Sequence, residues 1–539
     1  MPLISRVCSC LEGTGHVGSL FAAVVARRVD AYCHLRCSGG IKVKLGTVLI
    51  AAIATASATQ LAHAGGQFVG DNGTVATSRA GAFVAKADDA TALMHNPAGL
   101  GLATEMQVTV GANLISMNQE FQRAGVYENL GENYTGENYP TVANGSGTQP
   151  IPFIGAVIPR GRFTFGAGLV APQGYGVRDY PHEVTLSDGT VAPAPQRYDA
   201  VSQKSTIAFP SIAIAYRATE KLHIGARFGW GFAELSSEKY VQGLSSPGEE
   251  PGRDSYTAVV ARDRFIPTFG LGVHYKPKKT VEVGLNWTAP ISVQAVGLSN
   301  TQLGADLMEP APGITNKVVP VDPGDERCAP GGQEGALAAC INFNLPMIAT
   351  VGARYIATDD SGEELGDLEL DVRWEDWSSA SDIVAVVDGK NTALDAPLND
   401  TVIRHGLQDV FSVRLGGSGR ITRGKRNLIA RAGVSYETAA APATWSRLDI
   451  DSAQRFSAAG GLGADFGRFH VDVGIAAFTS PNREVRDVEL ADTRNMDDRV
   501  QPDVTVPSAG STEQPYHPLN SGDYKTSYFV GSFAITAKW

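Results

Sequence analysis

The sequence contains no long apolar run after Ala64, and few of its residues are charged. A membrane helix needs roughly 18 or more consecutive apolar residues, and no later segment approaches that length, which argues against a bundle of membrane helices. Charged residues make up 19% of the chain, and the formal net charge is −11. Because binding to nucleic acid requires a basic surface, we expect no nucleic-acid partner.

Patterns typical of catalysis and metal binding are also missing. The ten histidines include no His-x-x-x-His pair, and residues 416–419, Gly-Gly-Ser-Gly, lack the final glycine of a nucleophile elbow. We therefore expect no enzyme, no metal site and no cofactor. Six cysteines occur, and only Cys328 and Cys340 follow the predicted signal peptide. An even pair in an oxidising compartment predicts a disulfide.

The amino terminus carries the pattern of a secretory signal peptide over residues 41–64. Two lysines precede an apolar run, and the segment ends in a small-x-small cleavage site. A membrane helix is disfavoured because the run is short and no charged stop-transfer segment follows. Residues 1–40 do not fit a signal peptide, so we expect either a translation start further downstream or an extended signal.

From residue 105 onward, apolar and polar residues alternate with the period of two that β-strands have. In 281–293, for example, Leu285, Ile291 and Val293 fall on an apolar face opposite Glu282. A soluble sandwich also alternates. The long strands, the small and ionisable residues of the polar face, and the aromatic residues near strand ends favour a membrane barrel.

The alternation predicts fourteen antiparallel strands, over 105–120, 151–159, 162–171, 202–217, 221–236, 257–276, 280–297, 343–357, 367–388, 401–417, 426–438, 454–466, 468–480 and 523–539. Short and long connections alternate between them, as short periplasmic turns and long extracellular loops do in outer-membrane barrels. We therefore expect residues 105–539 to form a transmembrane β-barrel in the outer membrane of a Gram-negative bacterium, in contact with outer-membrane lipid and lipopolysaccharide.

The last strand ends on an aromatic residue, with Phe529, Phe533 and Trp539 on one face. This arrangement resembles the signal that the barrel-assembly machinery reads, so we expect that machinery as a partner during biogenesis and a monomeric product. The segment before the first strand, 65–104, does not alternate and is rich in glycine and alanine. Its apolar content favours a plug in the lumen over a flexible periplasmic tail.

Three short stretches of this segment, at 79–81, 88–90 and 96–100, resemble the plug pattern of the FadL/TodX-type outer-membrane transport proteins for long-chain fatty acids and aromatic hydrocarbons. Weaker similarities follow in order along the rest of the mature chain. The resemblance implies an all-β, 14-stranded barrel closed by an amino-terminal hatch, with a lateral exit at a kinked third strand. It assigns the hatch or gate to Arg79, Asp88, Asp89, Asn96, Pro97 and Gly99.

Two further groups of residues are candidates for function. Gly166 and Gly168 on the third strand could permit the lateral opening, since glycine disrupts regular pairing, or could be ordinary glycines of a barrel wall. Five inward-facing arginines could bind a head group, although ion pairs across strands are favoured for them: Arg227, Arg354, Arg373, Arg414 and Arg431.

The function that the resemblance implies is passive transport of small hydrophobic molecules, either fatty acids or hydrocarbons, through a plugged barrel. The alternative is a hatch-bearing barrel that serves as a structural or secretion partner. The sequence itself identifies neither the hydrophobic ligand nor the residues that bind it.

Overall fold

The computed structural model describes residues 69, 71–127, 132–171, 177–241, 249–304, 317–328, 336–380, 382–392, 395–398, 400–423, 426–486, 505–506 and 517–539. The predicted signal peptide and the segment before it lie outside these residues. None of the described helices is long and apolar enough to cross a membrane.

Fourteen antiparallel wall strands form a closed barrel, as predicted. Their bounds are β1 (Gln107–Arg123), β2 (Thr148–Arg160), β3 (Phe163–Val170), β4 (Ser202–Arg217), β5 (Leu222–Val241), β6 (Ser255–Lys278), β7 (Val281–Thr288 and Ile291–Gln302), β8 (Leu337–Leu345 and Ile348–Thr358), β9 (Glu364–Glu375 and Asp382–Val387), β10 (Thr401–Arg404 and Val410–Arg423), β11 (Arg426–Glu437), β12 (Arg455–Phe466), β13 (Phe469–Thr479) and β14 (Gly522–Lys538).

Closure comes from pairing between the first and last strands, which runs without interruption from Gln107↔Lys538 to Arg123↔Gly522. Short turns join β2 to β3, β4 to β5 and β6 to β7 at one end of the barrel, and the long connections lie at the other end. The alternation of the sequence explains the wall. On β5, Ile224 and Trp230 point outward and are exposed, whereas His223 and Arg227 point inward and are buried.

Strand β7 departs from the prediction because it is broken at residues 289–290, Ala-Pro. Below the break Leu285 faces outward and Glu282 is buried, as expected. Above the break Ile291 and Val293 are buried, and Ser292 and Gln294, which alternate with them, are exposed and polar. The predicted common face of Leu285, Ile291 and Val293 is therefore wrong. Proline lacks an N–H and fixes one dihedral, so the regular ladder stops and the two faces exchange.

Comparable irregularities occur in the neighbouring strands at the same level. Strand β8 is broken at Pro346, and the upper segment again buries its apolar residues and exposes Asn342 and Asn344. Strand β9 is interrupted by a 3₁₀ turn at Trp377–Ser379, and β10 is interrupted over 405–409. The prediction of single strands over 343–357, 367–388 and 401–417 is therefore wrong at these breaks. In these strands the apolar side chains face outward below the breaks and inward above them.

The remaining described elements are short. In the segment before β1 they are α1 (Thr74–Ser78), α2 (Ala92–His95) and a 3₁₀ helix (Pro97–Leu102). In the long loops they are the 3₁₀ turns Pro251–Arg253 and Ala443–Trp445, and the strands Val142–Ala143, Arg178–Asp179, Glu183–Thr185, Val191–Pro193, Val318–Pro320, Gly389–Asn391, Ala396–Pro397, Arg483–Val485, Thr505–Val506 and His517–Pro518.

The predicted disulfide joins Cys328 to Cys340. Cys340 lies within the upper segment of β8 rather than in the loop, between the inward-facing Ala339 and Ile341. The bridge therefore fastens the loop to the outer side of the wall.

Thiol labelling of the mature protein should leave both cysteines unmodified unless a reductant is present. Paired replacement by serine should free the loop but leave the barrel assembled, because the ladder around Cys340 does not depend on sulfur. Closing a loop of this length stabilises it by about 3 kcal/mol in the chain-entropy description. Labelling of either cysteine without reductant would contradict the bridge.

Candidate functional site

The segment before β1 lies inside the barrel and fills the lumen. Most of its side chains between residues 72 and 102 are buried. The wall approaches it through glycines. A Cβ at Gly433 would lie 2.3 Å from the backbone carbonyl oxygen of Arg79, and one at Gly416 would lie 2.4 Å from the same oxygen. Inward-facing glycines of the wall thus make room for the hatch backbone.

Arg79 is the main charged anchor of the hatch. Its Nη1 lies 2.5 Å from Asp367 Oδ1, and its Nη2 lies 2.9 Å from Glu369 Oε2. Nη1 also donates to Ser418 Oγ at 2.6 Å, and Nε donates to the Ala82 carbonyl at 2.8 Å. All three side chains of these ion pairs are fully buried. The attraction between the guanidinium and the two carboxylates therefore has to offset the cost of removing their charges from water.

Four consecutive backbone N–H groups dock on two wall carboxylates. Asp371 Oδ2 accepts from the N–H groups of residues 83 and 84, at 2.8 and 3.0 Å. Glu369 Oε1 accepts from those of residues 85 and 86, at 2.6 and 3.3 Å. These two wall carboxylates therefore hold the hatch by its backbone.

A second ion-pair cluster joins the start of the hatch to β9 and β10. Asp71 Oδ1 lies 3.2 Å from Arg373 Nη1, and Asp71 Oδ2 lies 2.7 Å from Arg414 Nη1. Burial alone would raise the pKa of Asp71, but Arg414 and Arg373 outweigh it, so the pKa lies below its ordinary value of 3.8. The sequence pattern did not single out Asp71.

Acid should weaken this part of the hatch. Because the folded-state pKa of Asp71 is lowered, its ion pairs contribute stability above the ordinary carboxyl pKa, and that contribution is lost as the pH falls through the folded value. Ion conductance of the reconstituted barrel should therefore rise as the pH falls below 3.8, the ordinary pKa of this carboxyl group. An Asp71→Asn variant should show less of this rise. An equal rise in that variant would assign the effect to other groups.

The other predicted hatch residues have different roles. Asn96 Nδ2 donates to the carbonyls of Val84 and Val273, at 2.8 and 3.0 Å, and its Oδ1 caps the 3₁₀ helix that Pro97 begins. Gly99 lies against Ala87, where a Cβ would come within 2.2 Å of the carbonyl oxygen. Asp89 accepts from the backbone and hydroxyl of Thr91. Asp88 is exposed and pairs with Lys86 at 2.9 Å.

Gly166 and Gly168 pair regularly with β2 and β4. A Cβ at Gly166 would lie 2.8 Å from Leu100 Cδ1, so this glycine gives space to the hatch. Regular pairing of β3 ends two residues after Gly168, at Val170. Asn72 of the hatch donates to the carbonyl of Ala171, the next residue. The lateral opening predicted at this strand stays a prediction. The strand becomes irregular after Val170 and not at either glycine.

The five candidate arginines of the lumen divide into two groups. Arg354 pairs with Glu282 at 2.7 Å and with Asp367 at 2.6 Å, and Arg431 pairs with Asp472 at 2.6 Å. Arg373 and Arg414 pair with Asp71, as described. Arg227 differs from these four. It is 5% exposed, and no described residue forms a hydrogen bond or ion pair with it.

Arg227 lines a cavity of about 80 Å³ between the hatch and the wall. The hatch contributes Asp71, Asn72, Gly81, Val84, Met94 and His95. The wall contributes Phe209, Arg227, Thr268, Asn286, Thr288, Ile291, Leu345, Pro346, Ile348, Thr350, Asp371, Arg373 and Arg414. At roughly 10–15 Å³ for each water-sized probe, the cavity has room for a polar head group but not for a long chain.

Beside the cavity lies an apolar cluster of inward-facing residues from the upper wall, which includes Phe209, Ile266, Ile291, Val293, Ile341, Phe343 and Leu345. It exists because the breaks in β7 and β8 turn the apolar faces of their upper segments inward. A porin-like lumen is polar, so this lining instead suits a hydrophobic molecule.

Comparison with known proteins agrees with this geometry. Residues 55–514 match the family described as outer membrane protein transport protein (OMPP1/FadL/TodX). Among solved structures, a Pseudomonas aeruginosa FadL homologue is 17% identical, with a TM-score of 0.63, and the match covers 88% of this chain and 99% of that one. No curated protein is similar enough to be matched by sequence.

Two solved toluene transporters have the same fold. TodX of P. putida is 14% identical, with a TM-score of 0.58, and the match covers 87% of this chain and 99% of that one. TbuX of Ralstonia pickettii is 15% identical, with a TM-score of 0.56 and coverage of 87% and 98%. At these identities the similarity shows the fold alone.

Proposed function

Because the chain belongs to the OMPP1/FadL/TodX family, and is an outer-membrane transporter of hydrophobic compounds, we propose that its substrates are hydrophobic molecules with an anionic head group. Long-chain fatty acids are the class with this chemistry. Transport is passive, through the plugged barrel and out through its wall.

The observation that carries the proposal is the environment of Arg227. A buried charge is costly unless it is paired, and the other four candidate arginines are each paired with a carboxylate. Arg227 lies at the cavity beside the apolar cluster, so a carboxylate ligand would compensate its charge while the alkyl chain extends among Phe209, Ile291 and Leu345. The alkyl chain of the ligand must displace some of these side chains, because the cavity is too small to hold it.

A ligand without a head group gains nothing from Arg227. The solved relatives include toluene transporters, and toluene or an alkane would use the apolar cluster alone. Comparison of palmitate with hexadecane, which matches its chain length but lacks the carboxylate, therefore separates the two ligand classes.

Replacing Arg227 by Gln should weaken palmitate binding to the purified protein by about tenfold to a hundredfold, the equivalent of one hydrogen bond to a charged group. Binding of hexadecane should not change. Arg160→Gln, at the exposed last residue of β2, is the matched control and should behave as the unmodified protein does. Equal palmitate affinity in the two variants would contradict a head-group role for Arg227.

The alternative of a structural or secretion partner makes a different prediction. A barrel of that kind should bind neither palmitate nor hexadecane, and it should retain a soluble protein in a pull-down. Two features support transport over this alternative: the apolar lining that meets the cavity, and a guanidinium that no described carboxylate neutralises.

A further inference from the structure

Strand pairing between β6 and β7 is interrupted beside the cavity. The lower ladder ends at Gly270↔Thr288, and the upper ladder begins at Arg262↔Val296. The residues between, 263–269 and 289–295, are all described, and they form no ladder pairs with one another. We call this unpaired stretch the β6–β7 seam.

The sequence explains why the ladder fails here. Pro267 and Pro290 have no N–H to donate, and β6 carries a bulge between Asp263 and Ile266 in its pairing with β5. Single hydrogen bonds bound the seam. The Ala289 N–H donates to the Phe269 carbonyl at 3.0 Å below it, and the Gln294 N–H donates to Asp263 Oδ2 at 2.8 Å above it. At about 3.3 Å per residue, the seam is roughly 20 Å long along the strands.

Both sides of the seam suit a hydrophobic molecule. On the inner side, the cavity is lined by Thr268 of β6 and by Thr288 and Ile291 of β7, so it reaches both edges. On the outer side, Phe265 and Phe269 of β6 are 64% and 50% exposed, beside the exposed polar residues Arg264 of β6 and Ser292 and Gln294 of β7. A molecule that crosses here would leave the wall past the two aromatic side chains.

Opening the seam is also less costly than opening any paired part of the wall. Parting two paired strands breaks a row of backbone hydrogen bonds, and each unsatisfied group costs several kcal/mol where water is absent. At the seam, Ile266 and Val293 are buried on the inner side, and the described residues of the two edges form no ladder pairs. Movement of these two side chains breaks no ladder bond.

We propose that the β6–β7 seam is a lateral opening through which hydrophobic ligand crosses the barrel wall, separate from the one predicted at β3. This proposal rests on the proposed function, because the molecule that crosses the wall is the ligand that binds at the cavity. The seam supplies a route from the cavity to the outer surface. Strands β4 and β5 separate this route from the opening predicted at β3.

The test is to fasten the seam from outside. Phe265→Cys and Ser292→Cys are both exposed positions on opposite edges, so a short bifunctional thiol reagent can link them without entering the cavity. The control is Val273→Cys with Leu285→Cys, on the same two strands where they are already paired. Uptake of palmitate and of hexadecane is measured before and after linking, together with binding to the purified protein.

Linking the seam should lower uptake by half or more while palmitate binding is retained, and linking the control pair should change neither. If uptake after linking stays at the level of the linked control, the seam is not the lateral opening. Failure of the proposed function is a separate result, since the unmodified protein would then not bind palmitate. Hexadecane uptake would still test the seam in that case.

Discussion

Deleting residues 65–95 should turn the barrel into an ion-conducting pore that has lost selective uptake of hydrophobic ligand. A barrel of fourteen strands is wider than the eight whose interior side chains alone can fill. The deletion removes Asp71, Arg79 and the backbone groups that dock on Glu369 and Asp371. Strands β1 and β14, which close the barrel, remain intact, so the variant should still assemble.

Planar-bilayer recording is the measurement, and conductance should rise by an order of magnitude or more. A deletion of residues 183–193, a hairpin in the loop between β3 and β4, is the control and should leave conductance near that of the intact protein. If deletion of 65–95 gives the conductance of the intact protein, the segment does not close the lumen, and the mechanism loses its gate.

Replacing Arg79 by Leu should undock the hatch without unfolding the barrel. The change leaves Asp367 and Glu369 buried without their guanidinium, and loss of one partner from a buried ion pair costs about 3–5 kcal/mol. Arg354 and Lys86 still face Asp367, so the loss should be greatest at Glu369. Protease added to the purified protein should then cleave the hatch, and conductance should increase.

The matched control is Arg262→Leu, which removes an exposed ion pair with Glu234 on the outside of the barrel. Exposed pairs contribute little, so protection of the hatch should stay at the level of the unmodified protein. A hatch as resistant in the Arg79 variant as in this control would show that the backbone contacts to Glu369 and Asp371 suffice.

Much of the wall could be predicted from the sequence because lipid outside and a polar lumen inside impose a period of two on every strand. The prediction failed where that environment changes. Ile291 and Val293 continue the numerical alternation of Leu285, yet they face the lumen, because Pro290 ends the ladder between them. The prolines at 290 and 346 were a usable signal, since proline inside a strand marks an edge or a break.

The candidate site could be predicted only in part. Arg79 and Asn96 stand out in the hatch, and the arginines of the lumen stand out by their alternation. Asp71 does not, because it is a single acidic residue in an irregular segment and its partners are some 300 residues away. Which of the five arginines lacks a carboxylate depends on the contacts between strands and hatch, and no local pattern encodes those contacts.

The exchange of faces in β7 and β8 also fixes the depth at which the molecule sits. Leu285 and Val351, below the breaks, are stable only against acyl chains, whereas Gln294 and Asn342, above them, are stable only outside the acyl chains. A vertical displacement in either direction would hydrate the first pair or dehydrate the second. The barrel is therefore held at one height in the membrane.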